Sequence, residues 1–188
     1  MFIPFFRRSL LLLVSFTCSA EIIESIEYKH YIISPHAPHE IKPELMSRSP
    51  IRTGNGSFNG HTDWYIDWHY RTMQHPDRCQ LISITTKVHV IYTLPALSEY
   101  VSDEQTITIF NKFNAALTRH EMNHGNHGLM AAREIDAAIN KIPAQRYCHR
   151  LTRSIENTSN RIVQKYTHAD NEYDRMTQNG HTEGAVIY

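Results

Sequence analysis

The segment Arg119-His120-Glu121-Met122-Asn123-His124 sets two histidines four residues apart, with a glutamate directly after the first. On a helix such residues lie one above the other on one face, so both imidazoles can converge on a single ion. Zinc accepts imidazole ligands, acidifies a water and polarises a carbonyl while leaving a coordination position open. Glu121 is placed to take a proton from that water and deliver it to a leaving amine. The chemistry implied is hydrolysis of a peptide bond, with His120 and His124 as metal ligands and Glu121 as general base. The competing reading is an exposed helix face carrying two histidines by coincidence, made easier by 13 histidines in 188 residues. A helical setting and the uncharged Met122 and Asn123 inside the motif favour the metal.

A catalytic zinc usually takes a third protein ligand. The metzincin extension of the motif needs glycine at 127 and histidine at 130, where this chain has His127 and Met130. His127 shares the helical face, but it stands roughly 10 Å along the axis from His120 and reads as a supporting or solvated residue. Glu134, farther along still, reads as a surface or structural contact. If a second helix returns after a turn near Pro143, residues 120–124 face roughly 164–168. That brings His168, Asp170, Glu172 and Asp174 into range, with His181 just past the helix end. Asp170, Asp174 and Thr177 share a face, although a charged face at a helix end is as often merely solvated.

The flanking patterns say which elements carry these groups. Residues 62–71 alternate, with Trp64, Ile66, Trp68 and Tyr70 on one side and Asp63, Asp67, His69 and Arg71 on the other. Residues 80–92 do the same through Ile82, Ile84, Val88, Val90 and Tyr92. His75-Pro76-Asp77 between them is turn chemistry, so an antiparallel hairpin follows. Residues 28–33 are β-prone, and 34–61, rich in proline and glycine, read as loop with one helical turn. After Leu94-Pro95 the period becomes helical, with Ser102 as cap and Gln105 three residues later. Phe110, Phe113, Leu117, Ile135, Ala138 and Ile142 form that helix's stripe, and Pro143 ends it. Leu151, Ile155, Ile162, Tyr166, Tyr173 and Met176 form a second stripe over about 145–176, stopped by Asn179-Gly180. The expected class is α+β: a small antiparallel sheet followed by a long antiparallel helical hairpin. One domain is expected over 21–188, sheet-rich over 21–97 and helical over 102–178.

Residues 1–20 have the charged, apolar, small-residue order of a secretory signal, with Arg7-Arg8, an apolar run and a cut expected after Ala20. That run is too short to span a bilayer, so no stable membrane span is expected after processing. Acylation of Cys18 and a twin-arginine reading of Arg7-Arg8 are the lesser alternatives. The destination is the periplasm or the medium, where the two remaining thiols, Cys79 and Cys148, most simply pair. With 19 basic and 19 acidic residues, no basic field exists to hold nucleic acid.

The run Leu117 to His124, followed by Ala131-Ala132-Arg133-Glu134, resembles a bacterial family of predicted secreted zinc-dependent proteases, domain of unknown function 922. The Trp64/Trp68 strand before Cys79, Thr93-Leu94-Pro95, Cys148 and Tyr173-Asp174-Arg175-Met176-Thr177 fit the same family, as do Gly180 and Gly184. The resemblance implies a zincin-like zinc peptidase acting on a peptide or protein. It favours Asp174 as third ligand, ahead of His181 and then His168. This chain departs from the family's Thr-x-His-Gly in having Asn179 where the histidine stands, with His181 two positions later. Tyr173 is a candidate hydrogen-bond donor to the oxyanion of amide hydrolysis, or else a buried aromatic of the helix stripe. The runner-up function is a non-catalytic envelope binding or assembly protein that keeps the scaffold. A metallohydrolase acting on another amide, such as a cell-wall cross-link, is the third.

Overall fold

A computed structural model describes residues 20–53 and 56–188. The expected signal segment, with Arg7-Arg8 and Cys18, lies outside the described residues apart from Ala20, which begins the first strand.

Three long strands make the main sheet: β1 (Ala20–Ile33), β4 (His61–Gln74) and β5 (Cys79–Leu97), in the order β1-β5-β4. Between β1 and β4 come a short helix, α1 (Ile41–Arg48), and a two-stranded ribbon of β2 (Arg52–Thr53) and β3 (Gly56–Ser57). Two long helices follow, α2 (Glu104–Ile139) and α3 (Cys148–Thr177). The α+β class is as expected, and β4 and β5 form the antiparallel hairpin. The sheet, however, is mixed: β1 is more than twice the expected length and runs parallel to β5, Tyr28 beside Tyr92. The return that a parallel partner needs is made by β4: residues 34–60, which hold the helix and ribbon found where loop was expected, step from the end of β1 to the start of β4 at the same end of the sheet, and β4 brings the chain back to the start of β5.

The alternation in β4 and β5 has the expected cause. Ile84, Thr86, Val88, Val90, Tyr92 and Leu94 are all buried on one face of β5. Trp64, Ile66, Trp68 and Tyr70 of β4 stand opposite them in register and pack on the same core. Helix α2 lies on this face. Phe110, Phe113 and Leu117 fill one cluster with Val88, Val90 and Leu94, and Ile135 and Ile139 fill a second with Ile84, Leu151 and Ile155. Trp64 and Ile66 touch both clusters. The helix can approach this closely because position 128 is glycine, where a Cβ would stand 2.7 Å from the Cβ and Cγ of Trp64.

Two local expectations need correction. Helix α2 is capped by Asp103, not Ser102: its side chain accepts from the backbone N–H of Thr106 at 2.7 Å and from the Thr106 hydroxyl at 2.6 Å. A carboxylate at this position also meets the positive helix end, an advantage a serine lacks. Met176 is 67 % exposed rather than part of the buried stripe: it faces solvent while Thr177 beside it is buried. Cys79 and Cys148 form the expected disulfide, tying the start of β5 to the start of α3.

Candidate metal centre

Helices α2 and α3 run antiparallel, with Lys165 and Tyr166 meeting Glu134, and Asp174 near the end of α3 meeting His120 in the middle of α2. The connection runs from Asn140 through Tyr147, so α3 begins at Cys148. Consequently residues 170 and 174, not 164–168, stand opposite His124 and His120. Asp174 Oδ1 lies 3.1 Å from His120 Nε2 and 3.0 Å from His124 Nε2, and the two Nε2 atoms are 3.3 Å apart. Tetrahedral zinc with bonds of about 2.0–2.1 Å spaces its ligand atoms by about 3.3 Å. The triangle therefore fits zinc, with its open side toward a cleft of about 970 Å³ that His120, Glu121, His124 and Asp174 all line.

The other nitrogen of each imidazole is engaged by a carboxylate. His124 Nδ1 donates to Asp170 Oδ1 at 3.0 Å, and His120 Nδ1 donates to Glu183 Oε2 at 2.9 Å. Such partners set the tautomer that leaves Nε2 for a metal and hold the ring's orientation. Asp170 is itself pinned from the sheet by Trp64 Nε1 at 2.6 Å and from α2 by His127 Nδ1. His127 thus contacts Asp170, the partner of His124, and with those two residues forms a second set of converging donor atoms. Glu134 makes the surface contact expected of it.

Glu121 is 5 % exposed. Thr62 of β4 donates to Glu121 Oε2 at 2.7 Å. Gly60 closes the other side, where a Cβ would fall 2.7 Å from Glu121 Oε1. Burial raises the pKa of Glu121, against the pull of the Thr62 hydroxyl and the two histidines. Burial also opposes charge on His124, yet Asp170 and Asp174 win and push its pKa up to about 10. His120 is raised likewise, by Asp174 and Glu183 against burial. Burial would raise the Asp174 carboxyl, but the two imidazoles hold it well below the usual carboxylate range.

His168 and His181 are exposed and stand outside the convergent ligand atoms, which among the described residues are those of His120, His124 and Asp174, and of His124, His127 and Asp170. Tyr173 is stacked on the His120 ring, centroids 4.9 Å apart, and its hydroxyl donates to Glu183 rather than lining the cleft. Asn179 does line the cleft, in a left-handed conformation that asparagine tolerates. Glu183, Thr62 and Gly60 carry no local pattern that reveals them, since each matters only through a contact distant in sequence.

No curated protein and no solved structure matches the chain. A family profile described as a bacterial protein of unknown function (DUF922) matches residues 28–182, a span that takes in most of the sheet, the helix pair and His120, Glu121, His124 and Asp174, and the chain belongs to that family.

Proposed function

We propose that this chain is a zinc-dependent peptidase of the bacterial envelope or medium. The observation that carries the reading is the triangle of His120 Nε2, His124 Nε2 and Asp174 Oδ1 at tetrahedral spacing, beside the buried carboxylate of Glu121. Zinc held there would polarise a carbonyl and acidify water. Glu121 acts as general base through Oε1, the oxygen that Thr62 does not engage, and passes the proton to the leaving amine. Strand β4 is an edge of the sheet, and residues 61–64 border the cleft, so an extended polypeptide can pair with that edge by its main chain. The disulfide and the signal-like first twenty residues support an oxidising destination.

Metal analysis of the purified chain should find about one zinc, lost in His120→Ala and His124→Ala. Glu121→Gln should keep zinc yet lose about 10²–10⁴ of the cleavage rate on a quenched peptide library. Asn179, in place of the family's histidine at the cleft, favours a second reading as a scaffold that binds without cutting. Zinc-loaded parent that cleaves no peptide while Glu121→Gln behaves identically supports that second reading.

A further inference from the structure

The residues after α3 fold back over the ligand His120. Gly180 takes φ +80°, and a Cβ there would stand 3.0 Å from His120 Cγ. The turn His181–Glu183 follows, closed by Glu183 N donating to Gly180 O at 3.0 Å and Ala185 N to the same oxygen at 3.1 Å. Ile187 is buried in the core beyond it. The Glu183 carboxylate is thus held by folded backbone on the Nδ1 side of His120. It accepts the Nδ1 proton at 2.9 Å and the Tyr173 hydroxyl at 2.8 and 2.9 Å. Asn123 Nδ2 donates to that hydroxyl at 2.7 Å, and the Tyr173 ring lies nearly parallel to the imidazole, at 21°.

We propose that Glu183 and Tyr173 are a positioning pair that fixes the tautomer and rotation of His120 for a metal, and that Tyr173 does not reach the reacting carbonyl. The inference rests on the zinc reading above. Nδ1 and Nε2 point to opposite sides of an imidazole, so a hydroxyl committed to the Nδ1 partner faces away from the ligand atom. A donor to the oxyanion must stand about 2.7–3.1 Å from that oxygen. The only proton of the Tyr173 hydroxyl is already spent on Glu183, and the residue does not line the cleft. The two ligand histidines are then treated alike: Asp170 orients His124 from within α3, and Glu183 orients His120 from the turn beyond it.

The test is the dissociation constant for zinc, measured by competition with a chromophoric chelator on the full chain. Glu183→Ala should weaken zinc by about 10–100-fold. Glu183→Gln keeps an acceptor oxygen for Nδ1–H, and should recover most of that loss, which a general unfolding of the turn would not allow. Tyr173→Phe should weaken zinc severalfold, because Glu183 loses its second donor. Unchanged zinc affinity in Glu183→Ala overturns the proposal. So does a Tyr173→Phe chain that binds zinc as the parent does yet loses about 10²–10³ in kcat, the signature of an oxyanion donor. A parent chain that takes up no zinc refutes the metal reading itself, a separate outcome from equal affinity in parent and variant.

Discussion

Stripped of metal, the centre should make folding stability fall as pH rises from about 6.5 to about 10. His124 is the source: burial opposes its charge, but Asp170 Oδ1 and Asp174 Oδ1, each 3.0 Å away, push its pKa up to about 10. In the unfolded chain a histidine titrates near about 6.5. A folded value above the unfolded one means that the stabilisation is whole below pH 6.5, declines through the interval, and is gone once pH passes the folded value. A difference of about 3.5 units corresponds to about 5 kcal/mol as a ceiling. The Asp174 side chain is 41 % exposed, so solvent screens that half of the arrangement and about 3 kcal/mol is the better expectation. The depressed Asp174 and Asp170 carboxyls describe the same pairs from the other partner, and adding them would count one interaction twice. The assay is urea unfolding of chelator-treated chain at pH 6.5, 8 and 10, beside His124→Ala. The stability difference between parent and variant should shrink steadily across the three values. A constant difference would refute the reasoning, because it would mean that His124 carries no extra proton in the folded state. Zinc should reverse the trend, since it displaces those protons and its affinity must rise with pH.

Three further outcomes follow from the geometry. Gly128→Ala gains about 1 kcal/mol of helix propensity, but its Cβ would meet the Trp64 ring at 2.7 Å, and that ring is pinned to Asp170. Overpacking of this kind costs about 1–3 kcal/mol, so chemical denaturation should find a net loss, and a more stable variant would show that α2 can lift from β4 freely. Reducing the Cys79–Cys148 bond, which joins residues 69 apart, should remove about 4 kcal/mol and lower the melting temperature by about 10 °C in scanning calorimetry. Asp174→Ala should weaken zinc by more than about 100-fold, whereas His181→Ala and His168→Ala should leave its affinity unchanged; zinc lost in His181→Ala instead would move the third ligand into the turn.

Short-range periodicity was enough to read the alternating faces of β4 and β5, the two long helices, and the pairing of His120 with His124 on one face. Each of these is a relation between residues a few positions apart, which pleat or helix geometry makes explicit. Boundaries were less legible: Asp103 rather than Ser102 caps α2, because it also answers the helix dipole, and β1 begins at Ala20 rather than at 28. Tertiary structure decided the rest. Which carboxylate completes the triangle depends on where α3 starts, and that depends on the length of the connection through Tyr147, which no periodicity encodes. The direction of β1 beside β5, the grip of Trp64 on Asp170 and the return of Glu183 onto His120 join residues tens of positions apart. Such contacts exist only once the core has brought the elements together. The two imidazoles are thus legible as a local pattern and Asp174 through the resemblance, whereas packing chooses Asp170, Glu183 and Thr62, which orient the site.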